Sequence, residues 1–307
     1  MSKETRQAIN LILNFISGKQ TFYFWLSIRA LSVLIPPLSL YLFSQVIHCL
    51  EFKCPASDTQ GLLFVTILSY VIYNFLKVIS MHRLHFLTNR AECDIQGYLV
   101  DGLHTKTHKK RHTLIQSIRN FSEAARQTME VLLNPGIDGL VSLFYLPILV
   151  LLTDFRVFII QAAFVLVYYF TDIYTTDHYK RRRDDLDKSI EDYYAKLQDS
   201  NTVDTENTHL ILNYASLSHW NIIEWLTLDN IATVFYGLSL VYLVGSYLNG
   251  EKEVSQIILL ASYFTSTRVF MEAITSVKDK LTDTKVALRR LLRSKHYLSL
   301  DFEDLVQ

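Results

Sequence analysis

Six apolar segments follow one another along the chain, separated either by a short loop or by a long polar stretch. A helix needs about 20 apolar residues to cross the hydrocarbon core of a bilayer, and each segment meets that length. The pattern therefore predicts an all-α membrane protein with six transmembrane helices. These spans are expected at residues 22–48, 61–81, 136–153, 157–176, 230–248 and 254–274.

One long stretch lacks the residues that normally make turns. Neither glycine nor proline occurs from residue 154 to residue 236, although the chain contains 9 Gly and 5 Pro. Loops use these residues to change direction, and a structureless connection of this length is uncommon in an ordered protein. The stretch therefore predicts that spans four and five continue beyond the bilayer as a pair of polar helices.

Both long polar connections carry apolar residues at spacings of three and four, which is typical of narrow helix-packing seams in water. At about 1.5 Å per residue, arms of about 25 residues would place their tips roughly 35 to 40 Å from the membrane. The seam residues are Leu84, Leu87, Ala91, Ile95 and Tyr98 leading out, Leu114, Ile118, Phe121, Ala125, Met129 and Leu132 returning, and Leu186, Ile190, Tyr193, Leu197, Leu210, Tyr214, Leu217 and Trp220 in the second connection.

The ends of the chain have helical patterns of their own. Residues 5–17 place Ile9, Ile12 and Ile16 on one face, which favours a helix lying in the membrane interface. Span one contains Pro36 and Pro37 and is expected to be kinked there. Beyond span six, Val277, Leu281, Leu288 and Leu291 predict that its helix continues into water. The expected domains are an N-terminal interfacial helix at 1–20, the six-helix domain at 21–295 and a tail at 296–307.

The positive charges predict the orientation. All but six of the 30 Lys and Arg fall in the N-terminal segment, the two long connections and the C-terminal segment. The positive-inside rule then places both termini and both arms in the cytoplasm of a multi-pass protein of the plasma, or bacterial inner, membrane. The exceptions are Lys53, Arg156 and Lys252 in the opposite loops, and Arg29, Lys77 and Arg268 within spans.

Composition narrows the class of protein further. Hydrophobic residues make up 50% of the chain and charged residues 20%, which indicates a protein partly in lipid and partly in water. The net charge of zero gives no indication of a nucleic-acid partner. The N-terminus has no cleavable signal pattern. Three cysteines exclude a disulfide framework, while Cys49 and Cys54 could either pair or remain free thiols.

The six spans, the interfacial helix, the short outer loops and the two long arms resemble the membrane domain of type I ABC exporters, a fold also called type IV. Two stretches carry the resemblance more specifically. Residues 151–157, Leu-Leu-Thr-Asp-Phe-Arg-Val, are similar to the family's turn between its third and fourth helices. Residues 279–292 are similar to the helix end that normally enters the nucleotide-binding domain. The resemblance covers about residues 5–295.

The resemblance implies a dimer, formed with a second copy or a homologous half, in which spans four and five are exchanged. It also implies that the arm tips, about 104–112 and 199–209, contact an ATPase domain. No G-x-x-x-x-G-K-[ST] or Leu-Ser-Gly-Gly-Gln pattern occurs in the 307 residues. We therefore expect a permease that is not itself an enzyme and whose ATPase is a separate subunit. The alternative is a dimeric membrane scaffold that transports nothing.

Charged residues inside spans are candidates for a substrate site, because charge in hydrocarbon is costly. Arg29, Lys77 and Arg268 have similar inner-leaflet depths, and Asp172 and Glu272 lie at comparable depth and could pair with them. One interpretation is a cationic cavity for an anionic or amphipathic substrate. The other is that these cations reach towards lipid phosphates or form structural ion pairs.

The arm tips are the candidate contacts with a cytoplasmic partner. Histidines four residues apart could bind a metal, but the cations among them favour docking on an acidic partner or on lipid headgroups, so neither a metal nor a cofactor is expected. The second tip is acidic and rich in helix-capping residues. The tip residues are His104, His108, Lys109, Lys110, Arg111 and His112 in the first, and Asp199, Thr202 and Asp204 in the second.

Overall fold

The computed structural model describes residues 13–16, 18–101, 108–196 and 203–293, and its regular structure in these ranges is helical. The principal elements are α1 (Lys19–Ser32), α2 (Ile35–Glu51), α3 (Ala56–Asp101), α4 (His108–Val131), a π-helical turn (Leu132–Gly136), α5 (Ile137–Thr153), α6 (Phe155–Lys196), α7 (Val203–Leu248) and α8 (Val254–Arg293).

Within the described ranges, six helical segments are long and apolar enough to cross a membrane, which confirms the predicted number of spans. Segments one and three each combine two helices, whereas the others are single uninterrupted helices. The segments are Lys19–Glu51, Ala56–Asp101, Leu114–Thr153, Phe155–Ile190, Thr208–Leu248 and Val254–Leu291.

The chain divides into two compact units. The first contains residues 1–153 and 243–307, and the second contains residues 154–242. The first unit thus includes α1 to α5 and α8, and the second includes α6 and most of α7.

In the first unit, the predicted seam of the first arm forms the core. Ile95 and Leu99 of α3 pack with Ile118 and Phe121 of α4 and with Leu291 of α8, and all five are almost completely buried. Each such side chain contributes roughly 1.5 to 3 kcal/mol relative to exposure in water. Tyr98 is the exception among the outgoing positions: it is 41% exposed, and its ring lies edge-on to Phe15, 5.3 Å away.

The extension of span six is a full partner in this arm. Thr284 of α8 hydrogen-bonds the Thr128 hydroxyl of α4 over 2.6 Å and donates to the Ala124 carbonyl over 3.0 Å. Both threonines are buried, so hydroxyls that would be costly to desolvate satisfy one another. The paired hydroxyls fix the register between α4 and α8.

Two spans of the first unit are interrupted. Span one breaks at the turn of Val33 and Leu34, and Pro36 lies in the first turn of α2, where its missing N–H costs nothing. The kink expected near the prolines is therefore confirmed as a break between two helices. In span three, Pro135 lies within the π-helical turn Leu132–Gly136, which the sequence pattern did not predict.

Close approach between α5 and α8 depends on two glycines. A Cβ on Gly139 would lie 3.1 Å from the Phe270 carbonyl oxygen and 3.3 Å from the Ala273 Cβ. A Cβ on Gly136 would lie 2.7 Å from a methyl carbon of Val277. Small residues at such positions let helix backbones approach in a membrane, where packing rather than water drives association.

The second unit is an antiparallel pair of long helices. Asp154 caps α6 by accepting hydrogen bonds from the backbone N–H groups of Arg156 (2.7 Å) and Val157 (3.0 Å). Leu186 and Leu217 are buried as the seam predicts, but Tyr214 is 52% exposed and its neighbour Asn213 donates to Ser189 instead. On the outgoing helix, Ile190 and Tyr193 are half-buried, and the last seam position, Leu197, lies outside the described residues.

Candidate functional site

Arg29 is the most deeply buried of the intramembrane cations. It lies in the last turn of α1, has no exposed surface, and forms an ion pair with Asp138 of α5, with 2.5 Å between Nη2 and Oδ1. A buried cation is costly unless its charge and most of its donors find partners, and within the described part of the chain only the Nε of Arg29 lacks a hydrogen bond. Asp138 provides the charge, and the Ser32 hydroxyl accepts a hydrogen bond from Nη1 over 3.2 Å.

The π-helical turn provides the third contact of Arg29. Nη2 of Arg29 donates a hydrogen bond to the carbonyl of Asn134, a residue of this turn, over 3.4 Å. Non-helical backbone at membrane depth requires such partners, because no water is present to hydrogen-bond a carbonyl released from the regular ladder. Arg29 therefore neutralises a half-buried acid and also satisfies the irregular backbone of span three.

The backbone at the break in span one is hydrogen-bonded in turn by a side chain of span three. Tyr145 of α5 donates its hydroxyl to the Val33 carbonyl over 3.3 Å and lies 3.1 Å from the Ser142 hydroxyl. Arg29 of span one thus hydrogen-bonds the irregular backbone of span three, and Tyr145 of span three hydrogen-bonds the irregular backbone of span one. We call these contacts of Arg29, Asp138 and Tyr145 with the two interruptions the reciprocal brace.

Sequence reasoning overlooked Asp138, proposing Asp172 and Glu272 as the acids that could pair with the cations. A signal was present: Asp138 is an acid inside the inner end of an apolar span, the same leaflet in which Arg29 was expected. Its ion pair supports the interpretation of Arg29 as a structural residue. Contact between Arg29 and a substrate stays a prediction.

The other predicted cavity residues lie in local arrangements. Arg268 donates from Nε to Glu272 over 2.8 Å within α8, and both side chains are about one-third exposed. Lys77 is half-buried, with Nζ 5.6 Å from the centroid of the Tyr73 ring on its own helix. Asp172 is buried in the second unit. The structure thus joins Arg268 to Glu272, and the combined cationic cavity stays a prediction.

A cavity of about 820 Å³ lies elsewhere in the first unit, between α2, α5 and α8. Its lining begins at Leu34, within the break in span one, and extends to the helix ends joined by short loops. At that end His48 Nδ1 lies 2.7 Å from Glu253 Oε2. This cavity was not predicted from the sequence. The available signal was the group Gln45, His48, Glu253 and Gln256 at the loop ends of two apolar spans.

The arm tips fall largely outside the described residues. His104, Asp199 and Thr202 belong to the ranges that the structure does not describe. The backbone of α4 includes His108, Lys109, Lys110, Arg111 and His112, and that of α7 includes Asp204, but the side chains of these six residues are not described. Among the side chains that are described, no three His, Cys, Asp or Glu come together as a metal site would require.

Comparison with known proteins places this architecture. No family profile matches the chain, and no curated protein matches it by sequence. Among solved structures, it is similar to a bacterial Atm1-family ABC exporter with ATP bound, with a TM-score of 0.69 and 11% sequence identity over 89% of this chain. The chain spans about half of that exporter, 52% of its length. The protein therefore has the fold of an ABC exporter transmembrane domain and is a multi-pass integral membrane protein.

Proposed function

We propose that the chain is the membrane-spanning permease subunit of an ABC exporter, which moves an amphipathic or anionic substrate by alternating access. The observation that carries this proposal is the exporter fold, found over 89% of the chain at a TM-score of 0.69. ATP hydrolysis would be supplied by a separate nucleotide-binding subunit, since the 307 residues contain no phosphate-binding loop.

The proposal includes a dimer with a second copy or a homologous half. The second unit of the chain, residues 154–242, contains the arm of spans four and five. These are the helices that the two halves of an exporter exchange. A division of one chain at these residues supports an exchange, because an element that packs within itself can separate from the rest of its subunit. The tips of both arms would then contact the ATPase from the cytoplasm.

The proposed substrate site is the inner-leaflet group Arg268, Glu272 and Lys77. All three are partly exposed, unlike Arg29, so a ligand can reach them without breaking the reciprocal brace. Arg268 offers the planar donor geometry that binds carboxylates and phosphates. Its pairing with Glu272 would hold the guanidinium in position until an anionic group competes for it.

The deciding experiment is affinity purification of the tagged chain from its own host's membranes in a mild detergent. We expect a nucleotide-binding protein to copurify and its ATP hydrolysis to rise several-fold with this chain present. The control is a variant in which residues 199–209 are replaced by a Gly-Ser linker of equal length, which should lose the ATPase while remaining in the membrane. A stable homodimer that neither recruits nor stimulates any ATPase would instead support a non-transporting scaffold.

A further inference from the structure

The cavity between α2, α5 and α8 has the size and lining of a ligand site. Its volume of about 820 Å³ lies within the range of roughly 300 to 1,000 Å³ usual for small-molecule pockets. Leu38, Ile148, Leu149 and Leu259 supply apolar walls, and polar groups gather at the end nearer the loops. An apolar body with a polar head would match this division.

The charge at the polar end is negative. Among the described residues that line the cavity, Glu253 supplies a carboxylate and none is a lysine or arginine. Glu253 accepts a hydrogen bond from the Ser255 hydroxyl over 3.2 Å and lies against His48, and the His48 and Glu253 side chains are 38% and 37% exposed. Since both are partly open, an incoming cation can reach the carboxylate without unfolding its surroundings.

Three aromatic rings strengthen the preference for a cation. Tyr41, Tyr145 and Tyr263 come from the three different helices and line the same cavity. The faces of aromatic rings attract ammonium and related cations, more strongly where water is scarce. Both features favour a cation over an anion, the rings along the wall of the cavity and Glu253 at its loop end.

The neighbouring loops also carry more negative than positive side chains. Residues 51–58 and 249–253 of the first unit contain the acids Glu51, Asp58, Glu251 and Glu253 against the two lysines Lys53 and Lys252. An excess of acidic groups around the mouth of a low-dielectric cavity raises the local concentration of cations. Charge therefore favours the same ligand at the approach and at the site.

We propose that this cavity binds an amphipathic organic cation, with its apolar body between α2, α5 and α8 beside the tyrosine rings and its charged group at Glu253. The Glu253 end of the site lies beside His48, towards the opposite end of span one from Arg29, and the lining shares no residue with the inner-leaflet group Arg268, Glu272 and Lys77. Binding here does not depend on transport or on an ATPase, so the two proposals can fail separately.

The test uses two ions of nearly the same size and shape and opposite charge, tetraphenylphosphonium and tetraphenylborate. Binding of each radiolabelled ion is measured to the full chain in nanodiscs of zwitterionic lipid, with empty nanodiscs subtracted. Saturable binding of the phosphonium and none of the borate is expected. Equal binding of both ions would show an apolar slot filled by lipid chains, and no saturable binding would show a closed or covered cavity; either result overturns the proposal.

Matched variants locate the site. Glu253→Gln should weaken phosphonium binding at least tenfold, whereas Glu251→Gln, an exposed acid two residues away that does not line the cavity, should change it less than twofold. Ile148→Trp should block binding by filling the cavity from an exposed position, with the His48–Glu253 contact intact. If Glu253→Gln and Ile148→Trp both bind like the unmodified protein, the cation binds elsewhere and the proposal is wrong.

Discussion

Single residues decide how this protein keeps charge inside a bilayer. Arg29 has no exposed surface, and its charge is balanced by Asp138 while its donors reach Ser32 and the Asn134 carbonyl. Removing one member of such a pair leaves the other charge buried without compensation, which costs far more than the net stabilisation from the intact pair.

We therefore expect Arg29→Gln to destabilise the protein by about 2 to 4 kcal/mol, towards the lower end of the cost of breaking a buried pair, since the half-buried Asp138 would lose its partner. Thermal unfolding in nanodiscs, followed by tryptophan fluorescence, measures the loss. Because neither charge remains, the double variant Arg29→Gln/Asp138→Asn should lose clearly less than the sum of the two single variants. Strictly additive losses would show that the two side chains do not act as a pair.

The Arg29 pair also shows where sequence reasoning stopped. Its depth could be estimated from the apolar pattern, because position within a span is local information. Its partner could not be chosen among the acids at similar depth, since that choice depends on which helices pack together and on a π-helical turn that no short-range pattern announces. The seam residues Ile95, Ile118 and Phe121 could be predicted because a spacing of three and four directly specifies a helix face.

At the scale of elements, α5 and α8 approach each other closely at Gly139. The contact is set by backbone: a Cβ at Gly139 would meet the Phe270 carbonyl oxygen at 3.1 Å, and a carbonyl within a helix cannot turn aside as a side chain can. The two helices also supply two of the three walls of the 820 Å³ cavity between α2, α5 and α8. Their separation therefore affects both stability and ligand binding.

Gly139→Val should force α5 and α8 apart and destabilise the protein by about 1 to 3 kcal/mol, the usual cost of overpacking. The matched control is Gly97→Val, an exposed helical glycine whose Cβ would meet nothing within 4 Å. Thermal unfolding of the two variants under identical conditions makes the comparison. Similar losses from both would mean that helix propensity, rather than the contact with α8, explains the effect.

At the scale of the whole molecule, the six spans and both long arms could be predicted because length and apolar pattern are properties of the chain itself. The 820 Å³ cavity could not be predicted from the sequence, because its walls come from α2, α5 and α8. These helices are distant in sequence and meet only in the folded unit. The division of the chain into two units at residues 154 and 242 could not be predicted from the sequence either, because it depends on which helices pack together.

The orientation in the membrane is open to direct measurement. A cysteine at Thr202, in a variant lacking Cys49, Cys54 and Cys93, should react with a membrane-impermeant maleimide only from the cytoplasmic side, because the positive-inside rule places the arm tips there. A cysteine at Lys252 in the short loop before α8 should react only from the opposite side. Reversed labelling, or protection of the Thr202 site by lipid, would overturn the topology.

The reciprocal brace also imposes an order on biosynthesis. Arg29 precedes Asn134 by 105 residues, so span one leaves the ribosome well before the segment that will neutralise its arginine. At about 5 to 20 residues per second, the wait is on the order of ten seconds. During that interval the unpaired arginine carries an insertion cost of up to about 2.5 to 3.5 kcal/mol, the value for a cation at the centre of a span. The apolar residues of α1 and α2 must offset this cost alone, and span one reaches its final structure only after span three has entered the bilayer.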